Sequence, residues 1–496
     1  MYQGEIMSDE IRPLDESQST KRYVTTGNLL AYSIGLAGQN MTYNYISNWL
    51  FYYLEYVRKI SPKLSGVITG VSRIWDSVND PIVGAMVDKH KFKSGDKLRP
   101  FLLFTPPVIG ILSVIMFMPL NLGNAALIAI ICCAYLLWDL FYSFQDVALW
   151  GMLSVSSPNS GERARVSQWV TIGAGAGSTI GSLFPTFRSA VEGAGLSTLH
   201  TFALFAVIFG LFGELISMTA HKMKENVETP ETKENLFEAI FVLRHNKTLL
   251  LISAARYFKD VFNTVLPWVY FFESRELYNL GFTQIGYGNI QVIYGFLTGA
   301  VGALAMLFAT KIAHKLGGMK RLLIVAQVSN IICRVISYFV GFNSPSQIFT
   351  VMALMSVANI PVNSMDIAHR SLTSDSIDYV EYKTGKRTEG ISFSMQNFIS
   401  KLASATVQIV NGFVLSWLGH DSNKKNFEQN SKYMSWQWPI FMLGPVIGSV
   451  LYTIIISFIK DDKEQRTFIE GELYKRRLAV ENMSSELNEI IGVNNA

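Results

Sequence analysis

Arg73-Ile74-Trp75-Asp76-Ser77-Val78-Asn79-Asp80-Pro81 lies inside an apolar stretch running from about residue 64 to residue 87. That is the length of a membrane span, and a span is the costliest place for a carboxylate. An Asp at the bilayer centre costs about 2.5–3.5 kcal/mol on insertion scales. Asp76 and Asp80 share one face of a helix, because four residues is close to one turn. Such a pair is tolerated where it faces a polar cavity or binds something, and Asn79 adds an amide oxygen beside it. Hard oxygens suit Na⁺, or a proton shared between the acids, better than a soft metal. The competing reading is a structural ion pair with Arg73 or with another helix.

The rest of the chain supports a membrane setting. Of its 496 residues 49% are hydrophobic and 16% charged. Soluble domains commonly carry about 25% charged residues, so these values, with repeated apolar runs of span length, indicate an all-α polytopic membrane protein. The net charge of +4 gives no nucleic-acid signal. Basic residues gather in alternate loops, notably 88–100, 160–165 and 311–321, which the positive-inside rule places in the cytoplasm. Cys132, Cys133 and Cys333 lie in apolar segments with no metal or disulfide spacing. The first 27 residues are polar, lack a signal-peptide core and read as a cytoplasmic tail, with Met7 as an alternative start.

About twelve spans are expected, six on each side of the polar stretch 221–245. The expected divisions are a tail over 1–27, a first half over 28–220, a central cytoplasmic loop over 221–245, a second half over 246–460 and a cytoplasmic tail over 461–496. The short piece 236–244 reads as an amphipathic helix. Span one carries Asn40, Asn44 and Asn48 on one face, as ligand contacts or as a helix–helix seam. Span four carries Trp138 and, at 3/4 spacing on one face, Asp139, Ser143, Asp146 and Trp150, a stripe of acid, hydroxyl and indole. An indole face can stack on the C–H face of a sugar while carboxylates accept from its hydroxyls, so this stripe suits a carbohydrate. Trp138 and Trp150 read equally well as interfacial anchors. Gly173, Gly175, Gly177 and Gly181 in span five suit close helix packing.

In the second half, Arg256 and Asp260 are one turn apart and can neutralise each other, as can Asp366 and Arg370. The tenth span is expected over about 348–377, followed by a charged cytoplasmic loop or gate over 375–390 that holds Asp378, Glu381 and Arg387. Gln396, Asn397 and Lys401 lie in span eleven, and a lone Lys in a span needs a partner, for which the acids of span two are the obvious choice.

Two stretches carry a family resemblance. Arg73-Ile74-Trp75-Asp76, Asn79-Asp80-Pro81 and Gly84, followed by Gly95-Asp96-Lys97 and Arg99-Pro100, resemble the signature of the glycoside-pentoside-hexuronide:cation symporters, the melibiose-permease-like branch of the major facilitator superfamily. Asp375, Asp378-Tyr379, Glu381, Thr384-Gly385, Arg387 and Glu389-Gly390 resemble its second signature. The resemblance implies a twelve-helix major facilitator fold in two six-helix halves. It implies a cation site, with Na⁺ at Asp76, Asn79 and Asp80 and with Ser143 beside them. It implies sugar contacts at Asp146 and Trp150, with Gln396 and Asn397 at polar pocket positions. Lys401 matches a lysine near the cation site, and it is taken with Arg73, Asp378, Glu381 and Arg387 as coupling or gating residues. Two departures bear on the cargo. Asn40 stands where the melibiose permease has a sugar-binding Asp, and Trp169-Val170-Thr171 lacks the arginine of its helix five. Asp366 and Trp138 complete the candidate substrate set.

The expected function is Na⁺- or H⁺-coupled symport of a sugar or glycoside through the cell membrane, with both termini cytoplasmic. Asn79 and Ser143 favour Na⁺, because a proton needs no extra oxygens. No cofactor is expected; the expected partners are the small-molecule sugar or glycoside, the coupling cation and the lipid bilayer, with no nucleic acid. The alternatives are a Na⁺-coupled lysolipid or other non-sugar symporter on the same fold, and a non-transporting sugar sensor. An enzyme is not expected, because the seven histidines are scattered and no nucleophile–base spacing is visible.

Overall fold

The computed structural model describes residues 22–89, 92, 95–227, 246–263, 265–306, 308–384, 389–459 and scattered positions between 468 and 475. Helix dominates it. α1 (Thr26–Tyr52) ends in a π-helical turn over Tyr53–Val57, and α2 (Pro62–Lys89), α3 (Phe101–Phe117) and α4 (Asn124–Val155) follow. The fifth span is shared by α5 (Ser160–Ser182) and α6 (Phe184–Gly193). The sixth begins as α7 (Thr198–Phe205), loosens to a π-helix over Ala206–Phe212, resumes as α8 (Gly213–Ser217) and ends in a 3₁₀ turn over Met218–Lys222. α9 (Lys247–Asn263) and α10 (Trp268–Phe272) lead to a small antiparallel hairpin of β1 (Leu277–Asn279) and β2 (Gln284–Gly286). Then come α11 (Tyr287–Met306), α12 (Ala309–Leu316), α13 (Met319–Val340), α14 (Pro345–Asn363), α15 (Met365–Thr384), α16 (Glu389–Leu418) and α17 (Ser431–Ser457).

Local chemistry explains these boundaries. Pro62 and Pro345 open their helices, where the missing N–H would have no intrahelical partner in any case. Ser344 and Gln347 form a reciprocal capping box on α14, and the Asn430 side chain accepts from the Tyr433 N–H to cap α17. Gly341 (φ 82°) and Gly419 (φ 69°) stop α13 and α16 in the left-handed region that a Cβ disfavours.

Among the described residues the helices group into the twelve of a major facilitator fold. Among the described residues six helical stretches are long and apolar enough to cross a membrane by length and composition alone, including α4, α13 and α17. α2, which carries Arg73, Asp76 and Asp80, is not among them. The tenth span differs from expectation. It breaks at Ser364, whose N–H turns back to the Pro361 carbonyl at 3.2 Å, because the proline ring and missing N–H weaken the helix there. The charged stretch expected to be a loop from Asp375 is instead helical as far as Thr384. The amphipathic piece 236–244 and Arg387 lie outside the described residues.

The chain forms two compact units, the first of Met1–Leu50, Val78–Phe184 and Leu199–Thr232, the second of Phe51–Ser77, Pro185–Thr198 and Lys233–Ala496. In the first, Tyr32, Leu36, Leu149, Met152, Val166 and Val170 belong to one buried core. α5 lies against α1 through glycine: a Cβ at Gly173 would overlap the Ser33 carbonyl, and one at Gly177 the Ala37 carbonyl. Gly175, on the other side of the helix, meets nothing within 4 Å. In the second unit an aromatic core holds Phe271, Phe272, Tyr294, Phe342 and Phe441, with the Phe271 and Phe441 rings stacked at 4.3 Å. A further cluster joins Ile252, Leu322, Leu323 and Tyr452. The start of α2 packs on α16 backbone to backbone, with Gly66 against Gln408 and Gly412 against Pro62.

Candidate functional site

In the first unit the polar residues converge on α4, each face of which meets a different neighbour. Asn79 Nδ2 donates to Ser143 Oγ at 3.1 Å, and Ser143 Oγ donates to Asp80 Oδ1 at 2.9 Å. Asn79 and Ser143 are each 2% exposed, so this chain of amide, hydroxyl and carboxylate is built inside the fold. Its oxygens are the Ser143 hydroxyl and the Asp80 carboxylate, on two helices, with the Asn79 amide nitrogen donating into them.

One turn further along α4, Asp146 Oδ1 accepts from Gln39 Nε2 at 2.8 Å and from Trp150 Nε1 at 3.1 Å. Gln39 also donates to the Tyr142 hydroxyl at 2.8 Å, and Asn40 Nδ2 donates to Gln39 Oε1 at 3.1 Å. The Trp150 side chain is tied to Asp146 through its N–H while the residue stays 47% exposed, which leaves ring surface for stacking. A fixed indole beside a carboxylate and two amides can hold a polyhydroxylated ring. Trp138 sits differently. It is 1% exposed, its N–H is taken by Ser113 at 3.0 Å, and Tyr142 stacks on it at 4.9 Å. It supports Tyr142 from behind and offers no open face.

In the second unit Asp76 Oδ1 accepts from Lys401 Nζ at 2.7 Å, with Arg73 at 3.9 Å from the other carboxylate oxygen. The lone lysine of span eleven therefore has the partner that its cost in a membrane demands. Arg256 bonds Gln396 Oε1 at 3.2 Å, and Gln396 in turn donates to Thr373. Asp260 pairs with Lys259 at 3.2 Å, so the expected Arg256–Asp260 pair is not formed. Nor does Asp366 pair with Arg370: its side chain is 68% exposed and its ion-pair neighbour is His369 at 4.0 Å. Asn397 is exposed at the position after buried Gln396. Asp378 and Glu381 are half-buried on α15.

No spacing in the sequence marks Gln39, which stands one residue before the Asn40, Asn44 and Asn48 row. Nor does any mark Glu214. It is fully buried on α8 and accepts from Gln145 Nε2 at 2.6 Å, and Gln145 also reaches Ser217 at 2.8 Å. Glu225 is a third: its carboxylate accepts from the backbone N–H groups of Lys97, Leu98 and Arg99 at 2.7–3.1 Å, and so pins the loop before α3. A carboxylate at the N–H groups that open a helix is a favourable placement. In sequence, Glu225 is one of several charges in a polar loop.

The chain matches the family model described as MFS/sugar transport protein over residues 31–463. It is 26% identical over 471 residues to the uncharacterized symporter YjmB of Bacillus subtilis (strain 168), across 93% of this chain and 98% of that protein. It is 24% identical over 468 residues to the isoprimeverose transporter of Lactiplantibacillus pentosus, across 92% and 93% of the two chains. Its fold is similar to that of a bacterial homolog of the human lysosomal transporter Spinster, with TM-score 0.60 and 12% identity over 87% of this chain and 95% of that one.

Proposed function

Because the chain belongs to the MFS/sugar transport protein family, a family of multi-pass membrane transporters and not of enzymes, we propose that it carries a sugar or glycoside across the cell membrane together with Na⁺. The observation that carries this reading is the Asn79–Ser143–Asp80 chain. A proton would need one carboxylate; here an amide and a hydroxyl are built onto it, inside the fold, where each buried polar group must be satisfied. Asp76, one helical turn earlier on α2, is the further acid that the family resemblance assigns to the cation. Lys401 holds its charge in the arrangement seen.

The sugar would lie on Trp150, with its hydroxyls donating to Asp146 in competition with Gln39. Asp146 would then trade an amide partner for the substrate, which favours ligands rich in hydroxyl groups. The two six-helix halves, with both termini and the basic loops on the cytoplasmic side, would alternate access to this site, and Asp378, Glu381 and Arg387 would take part in closing it. The relatives named above support symport and sugar as cargo, and isoprimeverose is the substrate in the name of one of them.

The test is thermal stabilisation of the purified protein by glycosides, pentosides, hexuronides and lysolipids, each with and without Na⁺ at fixed pH. Sugar stabilisation enlarged by Na⁺ is the expected result. Sugar stabilisation indifferent to Na⁺ would move the coupling to protons. A response to lysolipids alone would overturn the carbohydrate reading.

A further inference from the structure

The second unit buries a knot of charge that the transport site does not use. Glu55, in the π-helical turn after α1, is fully buried and accepts from Tyr270 at 2.8 Å, from Ser422, and from His420 Nδ1 at 2.8 Å. Glu273, at the end of α10, is 3% exposed and accepts from Arg188 at 2.7 Å, Tyr52 at 2.6 Å and Asn426 Nδ2 at 2.6 Å. Asn426 links the two carboxylates, because its Oδ1 lies 2.8 Å from His420 Nε2.

The pattern of donors and acceptors assigns a proton. His420 Nδ1 faces a carboxylate, which only accepts. Its Nε2 faces an amide oxygen, which also only accepts. Turning the amide over would bring its oxygen against the Glu273 carboxylate with no hydrogen between them. With Glu55 and Glu273 ionised, both ring nitrogens donate and the ring is an imidazolium. Two carboxylates then balance one guanidinium and one imidazolium, the condition under which buried charges are tolerated. Burial pulls the His420 pKa down, but the hydrogen bond and charge of Glu55, with Asn426 and Asp421, outweigh it and hold the ring above its ordinary value. Around the knot also stand Tyr270 and Tyr433, whose rings pack on His420 at 5.4 and 5.1 Å, Tyr56, Lys59 near Glu55 and Asp421, and Glu192, which meets Arg188 at 2.9 Å.

His420 and Asn426 belong to a loop that supports itself. Gln429 bonds the backbone of Asp421 in both directions at 2.8 Å, and Asn430 ties the loop's ends by bonding the carbonyls of Leu418 and Gly419. We propose that residues 419–430 form a proton-latched cap over the end of α1, shut while His420 carries both ring protons and released when it loses one. Loss of either proton sets two acceptors face to face and leaves the knot with an uncompensated negative charge. Because the folded pKa is raised, the latch is complete below the free imidazole value of about 6.5 and is lost as pH rises through the folded value. If the loop faces the outside, as in the function proposed above, the cap reads the external medium; the latch itself does not depend on that orientation.

Hydrogen exchange of the full chain in detergent, followed by mass spectrometry across a pH series and corrected for intrinsic exchange, tests the latch. Protection of peptides from 419–430 should fall by about tenfold as pH rises through the transition, the equilibrium equivalent of about one charge-assisted hydrogen bond, while α4 peptides stay unchanged. His420→Gln should give low, pH-independent protection. Glu55→Gln keeps an acceptor but removes the charge, so it should move the midpoint to lower pH. Parallel pH profiles in the wild type and His420→Gln would overturn the proposal, as would a midpoint unmoved by Glu55→Gln. Neither sugar nor Na⁺ enters the assay, so its failure would leave the transport reading standing.

Discussion

Replacing Lys401 with Met tests how much α2 and α16 depend on one ion pair. The ammonium lies 2.7 Å from Asp76 Oδ1, and the side chains are 29% and 9% exposed, so the pair stands between surface and interior. Coulomb's law gives about 1.5 kcal/mol for this separation in bulk water and about 6 kcal/mol at an effective dielectric constant of 20. Desolvation of both groups offsets most of the larger value, which leaves the ~1.5–3 kcal/mol typical of a hydrogen bond to a charged group. Lys401→Met keeps the aliphatic stem and leaves a buried carboxylate with the longer Arg73 contact at 3.9 Å. The expected loss is about 2–3 kcal/mol. Asp76→Asn keeps an oxygen that Lys401 can still reach, so it should cost less, about 1 kcal/mol. The double variant has no buried unpaired charge and should fall short of the sum by about 1–2 kcal/mol. Thermal unfolding of the four proteins in one detergent gives the cycle. If the two single losses add to within about 0.5 kcal/mol, the pair is not an energetic unit and the reasoning fails.

Other outcomes follow from the same geometry. Gly177→Ala, whose methyl would strike the Ala37 carbonyl, should lower stability by about 1–3 kcal/mol, while Gly175→Ala two residues away should be neutral or slightly stabilising; equal thermal midpoints for the two would contradict the α1–α5 packing. Ser143→Ala cuts the link between Asn79 and Asp80 and should weaken Na⁺ stabilisation by about tenfold or more, read from thermal shifts in a Na⁺ titration. Trp150→Phe keeps a ring face but not the bond to Asp146, so sugar affinity should drop about fivefold, and further with Trp150→Ala; identical losses in a ligand titration would mean that the indole N–H and the ring do not act separately.

Hydropathy and charge made the spans legible, because the bilayer imposes both. The cost of an unpaired ammonium in a span likewise marks Lys401 as needing an acid. What hydropathy measures is affinity for lipid, and a helix does not require that. This is why the charged run from Asp375 looked like a loop although it stays helical to Thr384. Gln39 was hidden for another reason. Its role depends on how α1 is rotated toward α4, and the periodic asparagines beside it mark a different face. Of those asparagines, Asn44 is indeed partly a packing residue, bonded to Ser178 at 3.1 Å. The carboxylates Glu55 and Glu273 are further still from legibility. Their partners lie up to 367 residues away, and no local pattern marks them.

The arrangement on α4 bears directly on coupling. Ser143 and Asp146 are three residues apart, so their side chains leave the helix about 5–6 Å from one another on neighbouring positions of its surface. Gln145, between them, is anchored behind to Glu214 and Ser217, which holds this turn of α4 against the sixth span. A cation at the Asn79–Ser143–Asp80 chain and a sugar at Asp146 would therefore act on the same turn of a fixed helix, and no long relay is required to join them. Charge placed at Ser143 lowers the cost of the negative charge at Asp146 through a few ångströms of low-dielectric protein. The coupling must also run in reverse: a sugar that engages Asp146 strengthens cation binding by the same factor. It follows that Ser143→Ala, which touches no sugar in the proposed pose, should weaken sugar binding in Na⁺ but not in its absence. A loss of equal size in both conditions would mean that Ser143 only shapes the helix and carries none of the coupling.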